Sequence, residues 1–254
     1  MERIDRTNEQ FNTNEGYKII IINYKNANDL LVQFQDEHKA IVHTNYARCK
    51  EGVIKNPYHP SVYGLGYIGQ GEYKPSIKGK LTKCYKDWSN IFTRIYDEEQ
   101  LEKHPTYRDC FINKEVYNFQ NFGNWYNNNF YKIGNETMCV DKDILVKGNK
   151  EYRFDRMIYV PYKINTLFIK SDAIRGDLPI GVTYNKINNK YIAQCRIGNR
   201  NKKYLGSYNT SEEAFKVYKE FKEEYIKQVA DEYKYYIPKE LYEAMYKWGV
   251  EITD

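Results

Sequence analysis

Along residues 190–197, KYIAQCRI, the side chains of an extended strand alternate between two faces. Ala193, Cys195 and Ile197 then share one face, and Lys190, Gln194 and Arg196 share the other. Arg forms paired hydrogen bonds with the guanine edge in the major groove, and Gln does the same with adenine. In the following run, KKYLGSY (202–208), Lys202 and Tyr204 share one parity while Lys203 and Leu205 take the opposite one. Between Leu178 and Ser211 there are six basic residues (Lys186, Lys190, Arg196, Arg200, Lys202 and Lys203) and no acidic one. Lysines at the rim of such a surface would contact phosphate and make binding salt-dependent. The competing reading is a solvated basic face of an ordinary domain, and composition alone leaves the two readings even.

The elements that must carry these residues are short. GVTYNK (181–186), residues 189–198 and residues 202–208 read as three strands joined by Asn-rich turns. TSEE (210–213) is a capping box, with Thr210 as the cap and Glu213 reaching back. Ala214, Val217, Tyr218, Phe221, Tyr225 and Val229 make one helical face, which the sheet can cover. A twisted three-stranded sheet of this kind can enter the major groove.

Upstream, residues 1–15 are polar and read as a frayed N-terminus without a secretory signal. Residues 16–80 read as a small all-β module, opening with YKIIIINY (17–24) as a buried strand, then LLVQF (30–34) and AIVHTNY (40–46). Helical spacing appears at residues 83–97 (Trp88, Ile91, Phe92, Ile95) and again at about 114–130 (Phe119, Phe122, Trp125). Residues 137–145 and 156–160 read as strands, and Pro161 stops the second and opens a short helix through Asn165. The fold class is therefore α+β, with a β module, a mixed central region over 81–175, and a sheet-plus-helix region over 178–254.

The chain has 254 residues, a net charge of +5 and a mean hydropathy of -0.81. No apolar run approaches the roughly 20 residues that span a bilayer, so no membrane partner is expected. Five cysteines without a C-x-x-C pair read as reduced thiols in a cytoplasmic protein, and no paired Cys/His spacing marks a zinc site. The 27 tyrosines accompany many Asn and Lys, a bias that AT-rich codons explain for the most part.

Residues 181–221 resemble the plant APETALA2/ethylene-response-factor DNA-binding domain. The matching pieces are Gly181-Val182, Tyr191, Ala193 before a polar residue, Tyr204-Leu205-Gly206 and the Thr-x-Glu-Glu-Ala helix start. The resemblance implies that Thr183, Asn185, Gln194, Arg196, Lys202 and Tyr204 face DNA. Thr183 and Asn185 stand where the plant domains have arginines, and Tyr204 stands for Trp, so DNA binding carries over better than a particular sequence preference.

The preceding region, with Trp88, Arg94-x-Tyr96, Tyr107, Phe119-x-x-Phe122, Asp141, Asn149 and Asn165 in order, resembles phage HNH homing endonucleases. That resemblance, over about residues 83–236, implies a phage-encoded protein of the bacterial cytoplasm acting on double-stranded DNA. It implies a divalent metal, Mg²⁺ or Mn²⁺, held by Asp141 on a strand and Asn165 on the following helix. The general-base slot, a His in the family, is Lys142, whose ordinary pKa near 10.4 leaves almost no free base at neutral pH. Asp143 shares the face of Asp141 and is the alternative base or second ligand. The bland reading makes both acids hairpin-flanking residues. The reading is thus an HNH-endonuclease-like DNA-binding protein. Its rivals are a catalytically decayed DNA-binding regulator and a phage anti-defence inhibitor that acts on a host defence protein.

Overall fold

In the run of four isoleucines, Ile19 and Ile21 are fully buried while Ile22 is 37% exposed, so the strand buries one face only. The expectation of a buried strand holds for that one face: the sheet it belongs to is antiparallel and faces solvent on the other side. The computed structural model describes residues 4–169, 176–198 and 201–254, and the class is α+β. By packing, the chain divides into two compact units, Met1–Asn128 with Glu151–Phe154, and Asn129–Lys150 with Asp155–Asp254.

The first unit begins with Gln10–Asn12 (β1), Lys18–Asn26 (β2), Asp29–Phe34 (β3) and Ile41–Thr44 (β4), antiparallel and in chain order. β1 pairs with β2 from Gln10↔Ile20 to Asn12↔Lys18, so residues 10–12 are a sheet edge and not part of a frayed terminus. Ile19, Ile21, Leu30, Val32 and Phe34 form the core beneath the sheet, with Cys49 and Ile54. Cys49 comes from a helix, Tyr46–Glu51 (α1), capped by Asn45 and ended by Gly52 at φ 68°. The module is therefore not all-β, because Asn45 caps and a left-handed glycine stops a helical turn that the strand pattern concealed.

A two-residue hairpin, Ser76–Ile77 (β5) with Lys80–Leu81 (β6), leads into Lys83–Tyr96 (α2), Glu98–Lys103 (α3), Phe111–Ile112 (β7) and Phe119–Asn129 (α4). Thr82 caps α2 and Asp97 caps α3. Trp88 and Phe92 of α2 and Phe119 and Phe122 of α4 are all fully buried. The Trp88 indole donates to the Val116 carbonyl at 2.7 Å, which satisfies the one polar atom of that cluster. After Met138–Asp141 (β8) the chain returns to this unit with Glu151–Tyr152 (β9), which pairs in parallel with β7.

In the second unit, β8 pairs antiparallel with Ile158–Pro161 (β10), register Ile158↔Asp141, and Tyr162–Asn165 (α5) follows at once and packs on both. A strand–loop–strand–helix unit results. The first strand ends at Asp141, short of the expected 145, because the Asp141 carboxylate turns the chain there.

Val182–Asn185 (β11), Lys190–Ile197 (β12) and Asn201–Tyr208 (β13) form an antiparallel sheet in chain order. The helix Ser211–Tyr233 (α6) opens with the expected capping box of Thr210 and Glu213. Its first turns place Ala214, Phe215 and Tyr218 against Val182, Ala193 and Cys195 of the sheet. Its last turns place Ile226, Val229, Ala230 and Tyr233 against Ile144, Ile158, Val160, Ile164 and Leu167 of the strand–loop–strand–helix unit. Leu241 and Met245 of Lys239–Lys247 (α7) close that second core. One 23-residue helix thus serves two cores, and the expected boundary near residue 176 does not separate compact units. The expected boundary near residue 80 fails likewise, since α2 to α4 belong with the N-terminal sheet. Gly181, at φ 79°, leaves room for the Tyr218 ring that a Cβ would strike.

Candidate catalytic hairpin and nucleic-acid interface

Asp141 ends β8 with its Oδ1 accepting two backbone amides, from Asp143 at 2.9 Å and Ile144 at 2.8 Å. That is the turn chemistry of an Asx cap. The carboxyl is half-buried, and protein closely surrounds it. Desolvation and the neighbouring Asp143 charge raise its pKa to about 6, against the two amides that lower it. Two acids close enough to repel, one of them desolvated, are hard oxygen donors whose repulsion a divalent cation would relieve. On that observation, the residues present fit Mg²⁺ or Mn²⁺ chemistry. Asn165 is half-buried at the end of α5, which packs against β8. Among the described residues no group of three His, Cys, Asp or Glu side chains comes together as a metal site, so any such cation rests on a smaller donor set.

Lys142 is tied into the loop beside these acids. It is 7% exposed, and its Nζ donates to the Asn149 carbonyl at 3.1 Å and pairs with Asp143 at 3.3 Å. The Asn149 side-chain amide donates in return to the Lys142 carbonyl at 2.7 Å, and Arg156 donates to Asn149 Oδ1 at 3.2 Å. An amine committed as donor to a carbonyl and to a carboxylate holds the loop between β8 and β10; it is not presented as a proton acceptor. Asp143, half-buried, is the acid of the pair without the two-amide tether.

In the C-terminal sheet, register settles which side chains share a face. Ala193 and Cys195 are buried under α6, as their parity predicts. Thr183 pairs with Ile192, Asn185 with Lys190, and Arg196 with Lys202. A bulge after Ala193 sets Gln194 opposite Tyr204 and leaves Leu205 without a counterpart. Gln194, Arg196, Lys202 and Tyr204 therefore lie on the face opposite α6, with Thr183 beside Gln194 at 3.5 Å. Tyr204 is 62% exposed on that face.

Three expected DNA contacts stand differently. Lys203 pairs in register with buried Cys195 and lies on the helix side, its Nζ 4.6 Å above the Phe221 ring. It does not join the open face. Asn185 caps its own turn by accepting the Ile187 amide at 2.9 Å, and Lys190 donates to Asn209, so both are engaged at the hairpin end. Arg200 lies outside the described residues.

Sequence reading missed Lys222, which is 8% exposed inside the sheet–helix core. The signal was available: Tyr218, Lys222 and Ile226 follow one another at four-residue spacing on the buried face of α6.

The chain matches no known family model, no curated protein and no solved structure. Among the described residues no helix is long and apolar enough to cross a membrane.

Proposed function

We propose that this chain is an HNH-endonuclease-like, phage-encoded protein that binds double-stranded DNA through its C-terminal sheet and acts on it with a divalent cation. The observation that carries this reading is the order strand, loop, strand, helix, with Asp141 at the strand end and Asn165 on the helix. The loop between is closed by the Lys142–Asn149 pair. In this reading Asp141, Asp143 and Asn165 would hold Mg²⁺ or Mn²⁺. The cation would supply charge stabilisation at a scissile phosphodiester. Gln194, Arg196, Lys202 and Tyr204 would meet the duplex, with Arg and Gln reading base edges and Lys contacting phosphate. The test is incubation of the purified chain with supercoiled DNA and Mg²⁺ or Mn²⁺. Nicking that Asp141→Ala abolishes supports the reading, and no nicking with either metal removes the enzymatic part.

A second reading is favoured by one observation: the residue in the base slot, Lys142, is tied inward. In that reading the chain is a decayed scaffold that binds DNA without cutting it, as a regulator or as an inhibitor of a host defence protein. Tight metal-independent duplex binding without nicking is its signature. If Arg196→Ala and Lys202→Ala leave biological activity intact, the protein-binding version is the one that stands.

A further inference from the structure

Among the described residues no strand pairs with the far half of β12 beyond the end of β11, and a cavity of about 550 Å³ is lined by that part of the sheet. That is within the range of roughly 300–1,000 Å³ typical of small-molecule sites. Its apolar lining includes Leu167, Ile169, Leu178, Ile180 and Val182. Tyr218 and Tyr225 add aromatic surface from α6. Five cations also line it: Lys163, Lys186, Arg196, Lys202 and Lys222. Among the described lining residues there is no carboxylate.

Lys163 is partly neutralised by Glu232 at 2.8 Å. The other four cations have no carboxylate partner among the described residues. Lys222 decides what the cavity is for. The residue is 8% exposed, lines the cavity, and makes no hydrogen bond or ion pair among the described residues. Burial foremost disfavours its ammonium; only a thiolate at Cys195 would oppose that, burial keeps Cys195 protonated, and the nearby Arg196 charge adds to the penalty. A cation buried without an anion is costly, and a bound anion removes that cost.

We propose that this cavity binds a nucleoside phosphate, its phosphate neutralising Lys222 and Arg196 and its base lying against the aromatic and aliphatic wall. The volume exceeds what inorganic phosphate needs, and half the wall is apolar. Buried Lys222, with the exposed Lys186, Arg196 and Lys202 beside it, also offers more positive charge than a single carboxylate calls for. The nucleotide has two sources, a free mononucleotide or an unpaired nucleotide of a DNA strand lying on the open face. The second is open to it because Thr183, Gln194, Arg196 and Lys202 belong to both the cavity and that face. The first does not depend on the nuclease or DNA-binding reading.

The test is titration of the full chain with four probes: the common nucleoside monophosphates, inorganic phosphate, a fully paired duplex, and the same duplex with one unpaired nucleotide. Lys222→Met and Lys222→Gln are the variants, with thermal melting as the check on folding. The expected result is saturable binding of a nucleoside monophosphate, or preference for the duplex with the unpaired nucleotide. Either should be weakened about tenfold or more by both variants. Binding of the fully paired duplex should stay unchanged, since Lys222 is not on the open face. Monophosphate binding alone identifies the free ligand, and preference for the unpaired site alone identifies the strand. The proposal is overturned if neither is seen, if inorganic phosphate binds as well as the nucleotides, or if folded Lys222 variants bind as the wild type does. Loss of paired-duplex binding with Lys222-dependent nucleotide binding intact would remove the DNA reading and leave this one standing.

Discussion

The side-chain amide of Asn149 donates to the carbonyl oxygen of Lys142 at 2.7 Å, while the Lys142 ammonium donates to the carbonyl oxygen of Asn149 at 3.1 Å. This reciprocal clasp fixes the loop that carries Asp143. Both residues are buried, so water cannot replace a lost partner. Asn149→Ala should therefore lower stability by about 1–3 kcal/mol, the cost of leaving a buried polar group unsatisfied. Urea denaturation checks it. Lys142→Arg, which keeps a long cationic donor, should retain any nicking activity that the wild type shows. Loss of nicking in a folded Lys142→Arg protein would instead make the lysine a proton acceptor.

Asp141 gives a pH dependence with a definite sign. Its folded pKa is raised to about 6 from an ordinary 3.8, so the folded state holds its proton more tightly than the unfolded state does. Stability from this group is then greatest below about pH 4 and falls as pH rises towards 6, above which the charged form is fully penalised. Asn in its place keeps an oxygen for the two amides and removes the charge. Asp141→Asn should stabilise the chain at pH 7, and by much less at pH 4. Mg²⁺ or Mn²⁺ should raise the melting temperature of the wild type at pH 7 and leave that of the Asn variant where it is.

Much of the sheet and its helix is legible in sequence, because local rules suffice there. The capping box at Thr210 and Glu213 forms as read, and the alternation along β12 buries Ala193 and Cys195. What escapes is set by distant packing. Nothing in residues 211–233 says that Ile226 and Val229 will meet Ile144 and Val160, which is why the boundary near 176 dissolves. The bulge that leaves Leu205 unopposed, and so aligns Tyr204 with Gln194, depends on pairing between two strands and not on either alone. At the hairpin, the strand reads on to residue 145 in sequence, and only the turn that the Asp141 carboxylate makes with the Asp143 and Ile144 amides ends it at Asp141. The direction of the Lys142 side chain required the loop to close first.

If the open face meets duplex DNA, its residues separate by kind. Lys202→Ala should weaken binding to all sequences alike and reduce the salt-dependence slope by about 1. Arg196→Ala should cost about 1–3 kcal/mol and relax preference at one base pair. Gel-shift titrations over a salt series, with a small panel of duplexes, distinguish the two. Identical losses for both variants on every duplex would make the face a phosphate-binding surface without base readout.

Lys203 provides the control for the face itself. It is adjacent to Lys202 and of the same residue type, yet it pairs with Cys195 and lies over Phe221 on the helix side. An electrostatic argument based on composition alone makes Lys202 and Lys203 equivalent. The register makes them opposite. Lys203→Ala should change duplex affinity by no more than about twofold, the usual range for a substitution away from an interface. It should also lower stability by about 0.5–1 kcal/mol through loss of the contact with the Phe221 ring. Equal loss of DNA affinity in the Lys202 and Lys203 variants would mean that net charge governs binding, whichever face carries it. The sheet would then have no privileged side, and the assignment of Gln194, Arg196 and Tyr204 to the duplex would fall with it.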